Sequence, residues 1–400
     1  MLKEKELYMR FSYLLFLVFY AGLLFGRSAE YPFQLLPQYD DLSTFDPLYY
    51  DYETKFFRRA RKSMTANIGF NYSWTSQWYD KEGTKIDSSF VYGMNRERGR
   101  FGTADYSSYN FYADLSYCPT SAWKIGIITP VVYKTIVPQD ANNLSSFSIG
   151  DIWLYGNALM MPDPSVILRL GIKAPTGTWQ DYYRPRDWNN EREIDRDANP
   201  PTGDGQWDFD LGVLSSIPIQ RHKSGVDPLV LEIAAGLRLR ARKTFSDYVW
   251  SNSWTDTLEA YSGGDSIVNY KVEERLKDLR PGNEFHFSVG PKALLTPKIW
   301  GAVKLTGFFG FNTRINGERM TYENGRLVEE ESFKNIDMDG RKVIYINPSI
   351  DFEMGVGLSL KANFKYPLLS GANHPVDNQI IGVVMSRKFG PAPYPVKKWK

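Results

Sequence analysis

The sequence contains very little cysteine or histidine. Cys118 is the single cysteine among 400 residues, so the chain can form no internal disulfide and no site of several cysteine ligands. The three histidines, His222, His286 and His374, are far apart along the chain. Cysteine and histidine spacing therefore gives no reason to expect a metal or any other cofactor.

Long apolar runs and an excess of charge are also missing. Beyond the first 30 residues, no stretch reaches the roughly 18 apolar residues that a membrane-spanning helix needs. The mean hydropathy of -0.40 also argues against a bundle of such helices. A formal net charge of +2 does not indicate a nucleic-acid partner. The aromatic fraction, in contrast, is high at 15%, enough to supply the aromatic girdles of a membrane barrel.

The N-terminus has the layout of a secretory signal peptide. Basic residues at positions 3, 5 and 10 precede an apolar run from Phe11 to Phe25, and small residues follow it. We predict that residues 1–28 are this signal peptide, cleaved after Ser28. A retained membrane anchor is the alternative.

The segment LVLEIAAGLRLRARK, residues 229–243, places an apolar residue at every second position and arginines at 238, 240 and 242. A helix would scatter these arginines around its circumference, whereas a strand puts all of them on one face. The same period of two recurs along the chain. It predicts an all-β fold, a transmembrane antiparallel up-and-down β-barrel of about 12 strands. The predicted strands are 64–76, 104–117, 123–136, 148–160, 166–176, 205–218, 229–242, 284–296, 299–312, 341–353, 356–367 and 378–389.

The predicted connections alternate in length. Most of those after even-numbered strands are short and turn-like, whereas those after odd-numbered strands include the long, charged segments 177–204, 243–283 and 313–340. Outer-membrane barrels have short periplasmic turns and longer extracellular loops. The pattern therefore predicts the outer membrane of a Gram-negative-type bacterium, with both termini in the periplasm.

The other parts of the chain flank a barrel predicted over residues 63–390. Phe389, at the end of the last strand, resembles the terminal aromatic residue that the barrel-assembly machinery uses in outer-membrane proteins. Residues 391–400 would then form a periplasmic tail. Residues 29–62 lack the alternation and would be either a loosely ordered periplasmic leader or a plug inside the barrel.

Charged residues on the inward faces of the strands are the candidate site. A charge facing the middle of the bilayer would cost roughly 2–4 kcal/mol, so the charged face must point inward. If Ile219 lies opposite Leu229, then Asp210 faces Arg238 and Asp208 faces Arg240. We predict that the barrel interior is lined by Arg169, Lys173, Asp208, Asp210, Glu232, Arg238, Arg240, Arg242, Lys304, Lys361 and Lys365.

Two interpretations of these charges remain open. They could form a ladder of ion pairs that fills and rigidifies a narrow barrel. They could instead form a net basic wall, above the middle of the barrel, that attracts anionic or polar aromatic solutes. A barrel of about twelve strands is wider than the filled eight-stranded kind and narrower than the open porins, so a narrow or plugged channel is expected.

Four motifs between residues 125 and 214 resemble a known family. The motifs are IGIITPVVY at Ile125–Tyr133, GDI at Gly150–Ile152, LGIKAPTG at Leu170–Gly177 and GDGQWDFDLGVL at Gly203–Leu214. They are similar to the outer-membrane family associated with the meta-pathway of phenol degradation. The resemblance implies an outer-membrane β-barrel with a role in the uptake of hydrophobic or aromatic compounds. The chain departs from the family in its basic strand at 229–242 and in its long loops.

Together these features predict a channel or transporter for small molecules, aromatic or hydrophobic ones included. Its partners would be outer-membrane lipid, the transported solute and the assembly machinery. A structural or surface-interaction barrel with a closed interior is the alternative. An enzyme is not expected: His286 and Ser288 share an inward face, but no orienting group accompanies them and they would not meet a lipid substrate.

Overall fold

The structure is a computed structural model of the whole chain. It describes residues 62–79, 85–86, 104–120, 122–138, 144–162, 164–178, 202–220, 227–259, 265–338, 342–355, 357–370 and 377–390. In these ranges, no helix is long and apolar enough to cross a membrane. The predicted signal peptide, the leader or plug up to residue 61 and the C-terminal tail lie outside the described residues.

The described regular structure consists of β-strands. In chain order they are β1 (Ser63–Tyr79), β2 (Lys85–Ile86), β3 (Ala104–Cys118), β4 (Trp123–Pro138), β5 (Leu144–Ile149), β6 (Ile152–Pro162), β7 (Ser165–Ala174), β8 (Asp208–Gln220), β9 (Leu229–Arg240), β10 (Lys243–Glu259), β11 (Asp265–Arg280), β12 (Glu284–Thr296), β13 (Ile299–Gly310), β14 (Thr313–Glu323), β15 (Arg326–Met338), β16 (Lys342–Gly355), β17 (Leu358–Ser370) and β18 (Asp377–Phe389).

Twelve of these strands form a closed antiparallel barrel. Each pairs with its neighbours along the sheet, and β18 pairs with β1 from Met64 opposite Phe389 onward, which closes the ring. The order around the barrel is β1, β3, β4, β6, β7, β8, β9, β12, β13, β16, β17 and β18. Each of these strands overlaps one predicted segment, so the all-β, twelve-stranded prediction is confirmed.

The barrel has one end with short turns and one with long connections. The turns between β6 and β7 and between β12 and β13 each span two residues, and β1 begins at the same end, where the Lys62 amide donates to the Cys118 carbonyl. The connections from β7 to β8 and from β9 to β12 lie at the opposite end. We call this opposite end the mouth of the barrel.

Side chains alternate between the two faces of the barrel wall. In β8, Asp208 and Asp210 point inward and are buried, while Phe209 and Leu211 point outward and are about half exposed. Strands β1, β3 and β7 show the same contrast between buried polar and exposed apolar side chains. A membrane barrel places its apolar residues outward in this way because its outer face contacts lipid.

Two of the predicted long loops contain a second sheet. Strands β10, β11, β14 and β15 pair in that order and form a four-stranded sheet separate from the barrel. Two of the long, charged connections, 243–283 and 313–340, therefore contain regular strands that were not among the predicted ones. Asn324 and Gly325 join β14 to β15 with φ values of 48° and 78°, the left-handed conformations of a tight hairpin turn. This Asn-Gly pair was the sequence signal for the hairpin.

The strand predicted at 148–160 is interrupted. β5 and β6 both pair with β4, but Gly150 and Asp151 separate them. A Cβ atom on Gly150 would lie 2.9 Å from Cγ2 of Val132, so glycine allows the chain to approach β4 closely at the break. The interruption frees Asp151 from the ladder and places its carboxylate at the mouth, level with the end of β7.

The predicted register between β8 and β9 is present for the charged pairs. Asp210 lies opposite Arg238, and Asp208 lies opposite Arg240. A β-bulge between Pro218 and Gln220 displaces Ile219, so Gln220 faces Leu229 at the turn. The expected partner of Leu229 was therefore wrong by one residue, while the interior pairing that depended on it is correct.

Gly69 accommodates an aromatic ring from the neighbouring strand. A Cβ atom there would lie 2.1 Å from Cζ of the buried Tyr112. Gly69→Ala must therefore displace the ring, and we expect it to lower the free energy of unfolding by about 1–3 kcal/mol. Urea unfolding in lipid measures the loss. Gly156→Ala is the matched control, because its nearest atom would be the Lys124 carbonyl oxygen at 3.9 Å. Equal effects of the two variants would contradict this account.

Candidate functional site

A ladder of charged side chains lines the barrel wall near the mouth. Strands β7, β8, β9 and β12 each point every second residue inward, so acids and bases from adjacent strands meet at the same height. The basic members are Lys134, Arg169, Lys173, Arg238 and Arg240. The acidic members are Asp151, Asp204, Asp208, Asp210 and Glu284. Among these described side chains, five bases face five acids, so the charges of this set balance.

Asp210 lies at the centre of this ladder. Its Oδ2 is 2.8 Å from Nε2 of His286 and 3.9 Å from Nε of Arg238, and its Oδ1 is 4.0 Å from Nε of Arg169. The carboxylate has no exposed surface. His286 fits because Gly236 leaves room for it: a Cβ atom there would lie 2.3 Å from Cε1 of the imidazole. One buried carboxylate therefore compensates two guanidinium groups and contacts an imidazole.

Lys173 forms a second centre closer to the mouth. Its ammonium contacts the carboxylates of Asp204 and Asp208, the latter at 2.6 Å, and lies 3.9 Å from Asp151. Lys173 and Asp208 lie opposite each other on β7 and β8. Lys134 is buried nearby, within electrostatic range of Asp151 and Asp204.

Arg238 and Arg240 share an acidic partner on the other side of β9. Nη1 of Arg238 and Nη2 of Arg240 each lie 3.6 Å from an oxygen of Glu284, on β12. The Arg238 guanidinium also lies 5.1 Å from the centre of the Trp153 ring, at cation–π distance. Arg238 therefore connects β6, β8 and β12 across the interior.

The remaining predicted residues lie farther round the barrel. Oε2 of Glu232 is 2.8 Å from Nζ of Lys304, and the pair bridges β9 to β13 across β12. Lys365 is fully buried on β17, and Lys361 is partly exposed and lies opposite Asp351. Lys292 of β12 contacts Asp351, an ion pair that the sequence prediction did not include.

Arg242 is the exception among the predicted interior residues. β9 ends at Arg240, and the side chain of Arg242 is about half exposed. Its Nη2 lies 2.8 Å from Oδ2 of Asp278 on β11. Arg242 therefore joins the barrel to the four-stranded sheet and does not line the barrel wall.

Asp151, Asp204 and Glu284 were not among the predicted site residues. Glu284 lies two residues before His286 on β12, so the period of two places both side chains on the same face of the strand. This pattern could have identified Glu284 as an interior residue. Asp204 lies outside the barrel strands, so strand periodicity could not assign it a face. Asp151 fell within the strand predicted at 148–160, but the structure interrupts that strand at Gly150 and Asp151. Each follows a glycine in the GDI and GDG motifs, and these motifs meet at the mouth of the barrel.

Burial and nearby charge shift the pKa values of Asp151 and Asp204 in opposite directions. Burial, reinforced by the neighbouring Asp204 carboxylate, raises the pKa of Asp151 to about 7. Burial alone would also raise the pKa of Asp204, but the contact with Lys173 outweighs it and holds that pKa below its usual range. Asp151 therefore binds a proton more readily than Asp204 does.

The described side chains do not form a metal site. Within the described ranges, no group of three or more His, Cys, Asp or Glu side chains could hold a metal ion. His286 contacts Asp210, and Oγ of Ser288 accepts a hydrogen bond of 3.3 Å from Thr306. The arrangement is one of ion pairs and hydrogen bonds within the barrel.

Comparison with known proteins connects the fold to outer-membrane barrels. No protein-family model and no curated protein matches the sequence. The crystal structure of an outer membrane channel from Pseudomonas putida F1 is similar over 84% of this chain and 98% of that chain, with a TM-score of 0.51 and 12% identity. The translocator domain of the autotransporter NalP from Neisseria meningitidis covers 83% of this chain and 90% of its own, with a TM-score of 0.36 and 9% identity. The first likeness shows that this chain has the fold of an outer-membrane barrel.

Proposed function

We propose that this protein is an outer-membrane channel that admits small polar molecules through the interior of its barrel. The observation that carries the proposal is the closed wall with apolar side chains outside and buried charges inside. Such a wall separates lipid from a polar path, which is the arrangement that a transmembrane barrel uses for passage of solutes. The orientation follows the same rule, with the mouth outside the cell and both termini in the periplasm.

Membership of the phenol-pathway family is part of this proposal. The motifs that resemble that family converge on one set of contacts, because the GDI, APTG and GDG segments meet around Asp151. The charged side chains of the interior affect which solutes could pass. Hydrophobic or aromatic molecules, which the resemblance implies, would meet a charged wall at the level of Asp210 and Arg238. The polar lining favours small polar solutes, since a desolvated charge is costly beside an apolar surface.

A structural barrel with a closed interior is the second candidate. Lys173, Asp210 and Arg238 are each at most 3% exposed, so they pack against other groups and do not border a wide aqueous path. A ladder packed in this way would rigidify the wall whether or not solutes pass.

Single-channel conductance of the refolded full chain in a planar bilayer distinguishes the two candidates. A channel is expected to give steady conductance. Arg238→Ala/Arg240→Ala removes two positive charges and is expected to shift the selectivity toward cations. A charge interaction of about 1 kcal/mol would change the permeability ratio about fivefold. Arg242→Ala is the matched control, because this arginine is exposed and lies beyond the barrel wall.

The channel and the closed structural barrel predict different results in this experiment. Selectivity that shifts in the double variant and not in Arg242→Ala supports a path along the ladder. A correctly folded barrel that gives no conductance would favour the closed structural barrel.

A further inference from the structure

The two strands that close the barrel, β1 and β18, have uncharged inner faces. On β1 the inward residues from Ser63 to Ser73 are serine, threonine, asparagine or glycine, and on β18 those from Ile380 to Ser386 are isoleucine, glycine, valine and serine. In the ring of twelve strands, β18 lies opposite β8 and β1 lies opposite β9. This uncharged part of the wall therefore faces the charged ladder across the interior.

One row of inward positions brings asparagine side chains from three strands together. Asn71 of β1 lies opposite both Asn110 of β3 and Gly382 of β18, and Gly382 lies opposite Asn363 of β17. Each of the three asparagines is at most 5% exposed. We call Asn71, Asn110, Gly382 and Asn363 the asparagine row.

Gly382 allows two amide groups of the asparagine row to converge. A Cβ atom on Gly382 would lie 2.4 Å from Oδ1 of Asn71 and 2.4 Å from Oδ1 of Asn363. The two side chains come from the strands on either side of β18, so both lean over the glycine backbone toward the same point. A larger residue at position 382 would fill the space into which both amide groups point.

The asparagine row has hydrogen-bonding capacity that the protein does not use. Nδ2 and Oδ1 of Asn71 and Nδ2 of Asn363 are buried and have no hydrogen-bond partner among the described residues. Rotation of one amide group could pair it with the other, but this would use one donor and one acceptor and leave the rest of both groups unbonded. Because buried polar groups are normally hydrogen-bonded, these amides are suited to bind a molecule other than the protein.

A third amide continues this arrangement toward the mouth. Asn347 of β16 is fully buried, and neither of its side-chain amide atoms has a hydrogen-bond partner in the described part of the chain. Ser349 lies opposite Asn363, so Asn347 is one inward position closer to the mouth than Asn363. Its neighbour on β13, Lys304, is paired with Glu232. A solute could therefore exchange hydrogen bonds with one amide for hydrogen bonds with the next along the barrel.

We propose that the asparagine row and Asn347 bind uncharged molecules that carry several hydroxyl groups, and that such molecules are solutes of the channel. A hydroxyl group both donates and accepts hydrogen bonds, so it can satisfy the Nδ2 and the Oδ1 of an asparagine. An ionised solute would gain no opposite charge from the asparagine row, and burial of an uncompensated charge is costly. The inference rests on the proposed channel function and names its class of solute.

Equilibrium binding of D-glucose to the full-length protein in lipid nanodiscs tests the proposal, with D-gluconate as an anion of matched size. Wild type is expected to bind glucose more tightly than gluconate. Asn71→Leu/Asn363→Leu keeps the side-chain size and removes both amides, so it should weaken glucose binding at least about fivefold, the effect of losing one neutral hydrogen bond. Unchanged glucose binding in this double variant would overturn the proposal. Tighter binding of gluconate would also overturn it and would assign this wall to anions drawn by Lys365, the next inward residue of β17.

Stability distinguishes unused amides from amides that bond within the protein. The double variant should unfold at the same urea concentration as wild type or a higher one, because leucine replaces buried amides that have no partner. Asn67→Leu is the matched control on the same face of β1. Nδ2 of Asn67 donates to Oδ2 of Asp114 at 2.5 Å, so this change should destabilise the barrel and leave glucose binding unchanged. Equal destabilisation by both changes would mean that Asn71 and Asn363 bond within the protein, which would overturn the proposal.

A second variant tests the convergence of the amides at Gly382. Gly382→Ala places a methyl group where the two oxygens meet and is expected to weaken glucose binding. Gly212→Ala on the opposite wall should leave it unchanged, since the nearest atom there would be the Ala235 carbonyl oxygen at 3.3 Å. Equal glucose binding by these two variants would contradict the proposed site.

Passage of glucose is measured separately, by swelling of proteoliposomes and by conductance. Glucose binding without swelling or conductance would overturn the channel function and retain the binding site. Conductance by a protein that does not bind glucose would overturn the binding site and retain the channel.

Discussion

Replacing Asp210 with alanine is expected to lower the free energy of unfolding by about 3 to 5 kcal/mol, because it removes the acidic partner of the buried Arg169 and one of the two acidic partners of the buried Arg238. Arg169 and Arg238 both approach this carboxylate within 4.0 Å, and each is almost completely buried. Neither guanidinium group can reach water without rearrangement of the surrounding wall. The loss should exceed that of removing any exposed ion pair of the chain, since exposed pairs contribute at most about 1 kcal/mol.

Urea unfolding of the protein in phospholipid bilayers measures this loss. Asp210→Asn separates charge from shape, because asparagine retains the size of the side chain and a hydrogen bond to His286 but not the charge. It should recover only a minor part of the lost stability. Arg242→Ala, which removes a half-exposed arginine from its pair with Asp278, is the matched control. A loss below about 1 kcal/mol for Asp210→Ala would mean that water already solvates the two arginines.

Placing an arginine on the outer face of the barrel is the second change with a large expected effect. Val213 points outward near the middle of β8, between Leu168 of β7 and Ala235 of β9, and is about half exposed on the protein alone. Val213→Arg should lower the free energy of unfolding from a bilayer by about 2–4 kcal/mol, because its charge would lie near the bilayer midplane.

An arginine placed at a different depth in the bilayer is the control for this prediction. Leu239 also points outward, one residue before β9 ends at the mouth. Leu239→Arg is expected to cost only about 0–1 kcal/mol, since its charge reaches the interface. Val213→Ala measures the loss of apolar contact without the charge. If the two arginine variants were equally stable, the outer face of the barrel would not lie across a bilayer.

The strands and their register could be predicted because the barrel wall has two unlike environments. β9 was expected at 229–242 and is found at Leu229–Arg240, since a single slip would turn its arginines toward the apolar side. The same parity predicts that Asp210 lies opposite Arg238, and the two residues are paired in the sheet. Strong contrast between the faces leaves one acceptable register.

The strands of the four-stranded sheet at the mouth, in contrast, could not be predicted from alternation. β14 and β15 carry charged residues on both faces, and Glu329, Glu330 and Glu331 follow one another directly on β15. Both faces are therefore polar, and the alternation that marks a barrel strand is absent. Only the Asn324–Gly325 turn indicated the hairpin, and the pairing of β11 with β14 joins segments of chain that no local pattern relates.

The amino-acid sequence by itself determined the all-β fold, the twelve-stranded barrel and the inward direction of the charges along β7, β8 and β9, because these follow from a local period of two and the high cost of exposing charge to lipid. Only the tertiary structure decided which charges meet. Asp151 reaches Gly177 and Asp204 through a break in a strand, and Glu284 reaches Arg238 across the wall. Such contacts depend on strand stagger and on the path of the connections at the mouth, which bring together residues that are far apart in sequence.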